Sequence, residues 1–382
     1  MEIEKCLEYI KKNSIRIPIY KVLLYGDDDK QVIEDVSGKI ENNNGSLTIG
    51  NEQGARRSVS MTLSNYGNEY TSYFSKLTLG RRFKLYLGYS IDGEDVLFPQ
   101  GVFVFNSPTL NSNLSNKSIS LSGSDKWSLL NGEVGGILAS TYQVNKGSNV
   151  VNFIKETLAL PIVGDTTPCN LPSSVYQLTT TYDIIHGAGE TIADVLLEVA
   201  FNVNCYIYYD VNGSLTLSPF LFDAERANLY HFEYNDVNYY NATKTYNLNK
   251  MYNAVKVVGS NTQNKDEPIV SYVENKDLSY GNNVINHTIL KIYYVTDYTD
   301  GINTLSKAED RAKYELKRVS SMQSNMTVNC NAIYFFQENN VISLTDSYLN
   351  ANSERFLITG ITFDIGSNGG MSLSLASAQG YL

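Results

Sequence analysis

Cysteine is scarce in this sequence, and none of Cys6, Cys169, Cys205 and Cys330 pairs at Cys-x-x-Cys spacing. That distribution points to buried free thiols rather than to a disulfide framework or a cysteine-ligated zinc site. Histidine is scarcer still. His186, His231 and His287 lie in separate segments, with no i, i+4 pair and no His-Glu-x-x-His, so the metalloprotease pattern is missing. There is no Gly-x-Ser-x-Gly elbow and no Walker loop. The stretch "GAGETIAD" lacks the third glycine and the preceding apolar strand that a dinucleotide site needs. No catalytic residue, cofactor-binding residue or metal ligand is assigned. No run approaches 18 apolar residues, so no membrane-spanning helix is expected. The start, "MEIEKCLEYIKKN", is charged and does not read as a signal peptide, which implies synthesis and folding in a cytoplasm. Positive charge is short as well: 30 Lys and Arg stand against 40 Asp and Glu, for a net charge of −10. Sequence-specific nucleic-acid binding needs clustered cations and is not expected. An acidic wall along which DNA slides without sticking is compatible with that sign.

What is present is tyrosine, at 29 residues, together with 27 glycines and many asparagines. Tyrosine and β-branched residues fit half-buried pleated surfaces, and Gly and Asn fit the turns between strands. At 382 residues, two to four domains are expected. Ile3, Cys6, Leu7 and Ile10 repeat at helical spacing and predict a short N-terminal helix that docks on the rest. "SIRIPIYKVLLYG" then alternates as a strand. From Val36 to Asp125 nearly everything reads as strand, separated by turn signals at the spacing of a barrel or sandwich. Trp127 closes this block as a core anchor.

The middle region reads as α/β. Ser148 is the expected cap of a helix carrying Val151, Ile154 and Leu158. In "ETIADVLLEVAFNVNCYIYYDVNGSLTLSPF", Thr191 and Asp194 predict a capping box, and Ile192, Val195, Leu196 and Val199 a buried stripe. The Asn-Gly of "VNG" predicts a hairpin between two alternating strands. Further on, "MYNAVKVVGS" is a strand. "SKAEDRAKYELKRVSSM" is a helix with Ser306 and Glu309 as its capping box and Ala308, Ala312, Leu316 and Val319 on one face. "SNMTVNCN" and "NVISLTD" return to strand.

Several charged groups invite a chemical reading, and each has a plainer one. Three adjacent carboxylates, Asp27 to Asp29, point in different directions, and no glycine and closing Glu complete a calcium loop, so a solvated turn is the better account. The acidic pairs Glu34/Asp35, Glu94/Asp95 and Glu309/Asp310 invite comparison with the two carboxyls of a glycosidase, yet each sits in a loop or on a charged helix face. Arg56/Arg57 and Arg81/Arg82 start strands. They fit surface ion pairing within the chain better than a bridge to a neighbouring subunit or to nucleic acid. His186 beside "GAGE" reads as a loop histidine.

The two ends of the chain echo each other. "DVLFPQGVFVFNSPTLNSNLSNKSISLSGSD" and "ERFLITGITFDIGSNGGMSLSLASA" each hold a strand, a central Gly, an alternating strand, a polar connection and a final Ser-Leu strand. Each follows another strand, "FKLYLGY" or "NVISLTD". This implies two related β-domains around an α/β insert. The whole order, from "FPQGVFVFNSP" and "SISLSGSDKWSLL" through the helix–hairpin and "NAVKVVGS" to "NNVISLTD…ERFLITGITFDI", resembles the baseplate hub proteins of tailed bacteriophages and of phage-tail-like bacteriocins, or tailocins. The resemblance runs from about Ile15 to the C-terminus and rests on structural motifs.

What the resemblance implies is an α+β, β-rich fold with two tail-tube-like β-barrel domains flanking a small α/β helix–hairpin module. The expected divisions are 1–14 as an N-terminal helix, 15–135 as the first barrel, 136–240 as the α/β insert, and 241–382 as the second barrel with an inserted helix. Such hubs are homotrimers whose six barrels match a sixfold tail tube to a threefold spike or central fibre. The implied partners are a tail-tube or distal tail protein above, the spike or fibre below, and the tape-measure protein and DNA in the lumen. The implied location is the virion baseplate or the tailocin particle, assembled in the bacterial cytoplasm. The end at Leu382 leads to the expectation that lytic or receptor-binding activity is carried by another polypeptide. A distal tail or tube-initiator ring protein, and a cell-wall carbohydrate-binding or carbohydrate-hydrolysing protein, are the competing readings. The hub reading expects no enzymatic activity.

Overall fold

A computed structural model describes residues 2–377 except 27–29, 42–44, 72–76, 78–79, 107, 115, 166, 204, 220–226, 246–251, 262–266, 277–289, 297–301, 321–324 and 367–368. Asp27 to Asp29 and His287 therefore lie outside the described residues. The first stretch holds α1 (Glu2–Lys12), β1 (Pro18–Tyr25), β2 (Val32–Asp35), β3 (Ser46–Gly50), β4 (Arg57–Ser64), β5 (Arg82–Ile91), β6 (Glu94–Phe105), β7 (Thr109–Ser112) and β8 (Lys117–Asp125). The middle holds β9 (Tyr142–Val144), α2 (Val150–Leu158), β10 (Ile184–His186), α3 (Ile192–Asn202), β11 (Cys205–Tyr209) and β12 (Leu215–Pro219). The last stretch holds β13 (Asn228–Glu233), β14 (Tyr239–Thr245), β15 (Ala254–Gly259), β16 (Ile269–Glu274), β17 (Ile292–Thr296) and α4 (Leu305–Ser320). It ends with β18 (Asn325–Asn331), β19 (Val341–Asp346), β20 (Ala351–Asp364) and β21 (Gly370–Ser377).

The echo between the chain ends is a duplication of strand order. In the first half the ladder runs β3-β4-β8-β6-β5-β1; in the second it runs β14-β18-β21-β20-β19-β13. Position by position the pairs match and are antiparallel, save that β13 lies parallel to β19 where β1 lies antiparallel to β5. The cross-strand partners match too. Met61 faces Leu121 and Leu63 faces Ile119; Met326 faces Leu375 and Val328 faces Leu373. "MTL" and "MTV" thus occupy one place in the two halves, a second sequence echo beside the Ser-Leu strands. Alternation puts these apolar side chains on the buried face of each strand.

The two halves are joined edge to edge. β20 pairs with β3, with Ile361 opposite Ile49 and Phe363 opposite Leu47, so all of these strands join one 14-stranded sheet. They also share one apolar core, in which Phe83, Phe103 and Phe105 of the first half belong to the same cluster as Phe232, Phe336, Phe356 and Phe363 of the second. The turn from Ala332 to Phe336 is driven into the first half. Gln100 Nε2 donates to Tyr334 O (2.7 Å), and Arg16 Nη1 donates to Ala332 O (2.9 Å). α1 closes the same core through Cys6 and Ile10, while Ile3 stays exposed.

The middle stretch has its own core, formed by α2, α3, Trp127 and the β11–β12 hairpin. Thr191 and Asp194 form the expected capping box of α3. The cap of α2 is Asn149, not Ser148: Asn149 Oδ1 accepts from Asn152 N (3.0 Å), while Ser148 is tied by its own N–H to Thr180. The hairpin forms as expected, and Asp210 holds its turn by accepting from Asn212 N and Ser214 N. A third core lies under α4, where Ala308, Ala312, Leu316 and Val319 cover Val255 and Val257 of the β15–β16–β17 sheet. α4 starts earlier than Ser306 and Glu309 suggest, because Thr304 Oγ1 accepts from Lys307 N (3.3 Å). β15 to β17 thus leave the second β-block and build a second small α/β unit. It touches the middle one through Lys307 to Thr181 (3.0 Å) and through Arg311 over the Phe201 ring (5.2 Å).

One buried network binds the parts together. Asp125, at the end of β8, accepts from the backbone N–H of Arg56 (2.8 Å), Arg57 (3.0 Å) and Trp127 (3.1 Å). Arg57 Nη2 contacts both oxygens of Glu338 (2.7 and 2.6 Å), and its Nη1 donates to Tyr209 O (2.8 Å). Arg56 reaches Glu338 at 3.3 Å and lies over the Tyr208 ring at 3.4 Å. Beside it, Lys126 Nζ binds Asp165 (2.6 Å), Thr167 (2.7 Å) and Gly213 O (3.0 Å), and Tyr209 Oη donates to Asp165 (2.8 Å). Gly54, at φ +87, hydrogen-bonds Ile207 O, and a Cβ there would fall 3.1 Å from the Trp127 ring. The arginine pair is therefore buried and paired inside the chain, not at its surface.

Glu338 neutralises two guanidinium groups that are almost out of water. Replacing it by Ala leaves them uncompensated, which costs about 3–5 kcal/mol. A urea titration of Glu338→Ala is expected to show a midpoint well below that of wild type. Glu338→Gln, which keeps the shape but not the charge, is expected to fall between the two. An Ala variant with an unchanged midpoint would show that water or relaxation replaces the carboxylate.

Candidate functional site

The titratable groups singled out in the sequence do not converge. His186 Nε2 bonds Glu198 (2.9 Å), and its Nδ1 lies 3.3 Å from Glu190, which locks the β10 turn against α3. His231, on β13, is held between Ser343 (2.6 Å) and Glu233 (2.7 Å). Glu34 is tied to Lys39 (2.8 Å), and Asp35 accepts from Ser37 N (3.0 Å). Glu94 is paired with Lys5 (2.7 Å), and that lysine's hydrogen bond holds its carboxyl below the usual range. Glu309 and Asp310 stand on the exposed face of α4. Arg81 and Arg82 are spent on the carbonyls of Tyr25 (3.2 Å) and Gly164 (3.1 Å). Among the described residues, no group of three or more His, Cys, Asp or Glu side chains is placed to hold a metal ion.

Cys6, Cys205 and Cys330 are buried and Cys169 is partly so. Burial pushes the thiols of Cys169 and Cys205 up to about 11 and that of Cys330 higher still. Burial also raises the carboxyl of Asp125, against the pull of its three backbone N–H donors. That carboxyl, Lys126, Asp165 and Glu338 were not singled out in the sequence, because a polar residue destined for a buried pair has no periodic signature. A cavity of about 280 Å³ lies among Arg16, Tyr89, Tyr240, Asn331 and Tyr334. Arg16, the one cation among its described lining residues, is already committed to the carbonyls of Asn13, Ile10 and Ala332.

What the molecule offers outward is surface and strand edge. Tyr234, Tyr239 and Tyr348 cluster beside β13 and β14, with Tyr234 5.4 Å from the mostly exposed Tyr348 ring. Tyr272 and Tyr294 flank Lys256 on the open face of the β15–β17 sheet. Among the described residues, β14 pairs only with β18, and β7 only with β8. All four residues of β7 are exposed, and Leu110 and Leu114 nearby present apolar side chains to water. Open edges of this kind are templates for pairing with another chain.

No family model and no curated protein matches the sequence. Solved structures do match along nearly the whole chain. The tail protein of Neisseria meningitidis MC58 superposes with a TM-score of 0.65 at 14% identity, over 94% of this chain and 96% of its own. The 43 kDa tail protein of prophage MuSo2 from Shewanella oneidensis gives 0.61 at 14% identity, over 94% and 98%. The prophage tail protein gp18 of Listeria monocytogenes EGD-e gives 0.57 at 9% identity, over 93% and 94%. At such identities the likeness is one of fold. The resemblance first met in the sequence is thus carried by the backbone: this chain has the fold of phage tail proteins.

Proposed function

We propose that the chain is a structural component of a phage-type tail and, within it, the baseplate hub that joins a sixfold tail tube to a threefold spike or central fibre. The carrying observation is the duplicated strand order, β3-β4-β8-β6-β5-β1 and β14-β18-β21-β20-β19-β13, joined through β3 and β20. A chain with two equivalent tube-like units presents six of them when three copies close a ring, and so converts three into six. In this reading each sheet half supplies one tube-like barrel unit of the ring. The two α/β units hang from one side of it and grip the spike. A net charge of −10 favours a lumen that lets DNA and the tape-measure protein pass without adhering. The fold match to tail proteins over more than nine-tenths of both chains supports the tail assignment. A distal tail ring with one unit per subunit has no use for the second half.

The hub reading assigns the chain no reaction. Each acidic pair whose contacts are described is engaged in an ion pair, a turn or a solvated helix face. The competing wall-hydrolase reading makes a direct claim about them. Glu34→Gln, Glu94→Gln and Glu309→Gln are expected to leave particle assembly unchanged, and wild-type chain is expected to release no fragments from purified peptidoglycan. Fragment release that these variants abolish would replace the hub reading with the enzymatic one.

Electron microscopy of the purified chain, or of the particle tip that contains it, is expected to show threefold density with six similar β-rich units around the axis. A sixfold ring with one unit per subunit would overturn the hub proposal in favour of a distal tail protein.

A further inference from the structure

The connection from α1 to β1, the turn after β18 and Gly369 enclose the cavity of about 280 Å³, and its donors are not all spent. Arg16 gives Nε–H to Asn13 O (3.1 Å), Nη2–H to Ile10 O (3.2 Å) and Nη1–H to Ala332 O (2.9 Å). A guanidinium carries five N–H groups, so two remain. Among the described residues no carboxylate contacts it. Asn238 Nδ2 shares Ile10 O with it (3.2 Å), yet Asp236 of the same turn is taken up by Tyr230 Oη (2.7 Å) and Asn238 N (2.8 Å). The charge of Arg16 therefore rests on carbonyl dipoles and on the Tyr89 ring (5.8 Å), not on an acid.

Tyr334 adds a second unspent donor. Its side chain is 0% exposed, and its Oη has no hydrogen-bond partner among the described residues. The Tyr20 hydroxyl beside it is closed on Gly366, donating to that carbonyl and accepting from that N–H (3.0 Å). Burial holds the Tyr334 phenol well above its usual range, so it stays protonated and acts as a donor. Gly369 leaves room next to it: a Cβ there would stand 3.5 Å from Tyr334 Oη. Asn331 is closed, giving its amide to Ser14 O and Val237 O (both 3.3 Å) and accepting from Tyr240 Oη. The cavity thus presents a cation and a hydroxyl, both as donors, and such a pair suits a carboxylate.

The rim is apolar. Ile15 is 89% exposed, and Tyr240 and Val237 beside it are exposed too. A free small anion needs no such collar. A protein segment does, because its flanks cover the collar while its side chain enters the cavity.

We infer that this cavity is a docking socket for an acidic side chain, a glutamate or aspartate that another protein presents between apolar residues. The carboxylate accepts from Arg16 and Tyr334, and the apolar flanks cover Ile15 and Tyr240. The inference stands apart from the hub reading, because it uses neither the repeat nor a ring.

The test takes the full chain and follows two probes by saturation-transfer NMR at millimolar probe and constant ionic strength. One probe is the end-blocked pentapeptide Gly-Leu-Glu-Leu-Gly, and the other is free glutarate. The peptide is expected to bind about tenfold or more tightly than its twin with Gln in place of Glu. Tyr334→Phe removes only a hydroxyl that the free chain leaves unpartnered. It is expected to keep the urea midpoint of wild type and to weaken the peptide about tenfold or more. Ile15→Ser is expected to weaken the peptide and to leave glutarate unchanged. A Gln twin that binds as tightly as the Glu peptide, a Tyr334→Phe variant that binds like wild type, or a wild-type chain that binds neither probe would each overturn the socket. Glutarate binding without peptide binding would assign the cavity to a free small carboxylate. Concentration-dependent self-association that Tyr334→Phe abolishes would assign it to a second copy. Either of these would overturn the partner inferred here.

Discussion

The structure depends on burying a set of ions without stranding any of them. Arg56, Arg57, Asp125, Lys126, Asp165 and Glu338 are nearly out of water. Each is tolerable only because the others, and a ring of backbone groups, supply its partners. Their origins matter more than their number. Arg56, Arg57, Asp125 and Lys126 come from the first half of the sheet. Asp165, with the Tyr209 and Gly213 carbonyls, comes from the middle unit, and Glu338 from the second half. Shifting any one of the three parts by an ångström or two would unpair a buried charge, at several kcal/mol. An apolar interface would tolerate such a slip far better. Here the network acts as a register device: it makes one relative placement of the three parts much better than its neighbours.

The duplicated halves differ where they have different neighbours. The strand after the β5 or β19 position is antiparallel in the first half and parallel in the second, because β13 arrives from the middle unit whereas β1 follows the N-terminal helix. β7 is short and exposed, whereas its counterpart is the buried second half of the long β20. The difference follows from the connection. Residues after Phe105 break the strand before Thr109, while β20 runs unbroken from Ala351 to Asp364. A continuous strand can carry β19 on its first part and β3 on its second, which welds the two halves into one sheet.

Local devices were legible in the sequence and distant ones were not. The Thr191–Asp194 capping box, the α3 stripe and the Asn-Gly hairpin need only neighbours a few residues away, and they stand where the pattern put them. The echo of the Ser-Leu strands was legible because each is half-buried and alternates for the same reason. The single shared sheet was not legible, because "TIG" and "GITF" do not announce that they pair. Nor was the departure of β15 to β17, since "AVKVVG" alternates the same way in any sheet. The ion network was least legible of all. Arg57 and Glu338 are 281 residues apart, and nothing local marks either as buried. Arginine at a strand start reads as surface until its partner is known. The cap of α2 went to Asn149 in place of Ser148 because both are good caps and only the Thr180 contact decides between them.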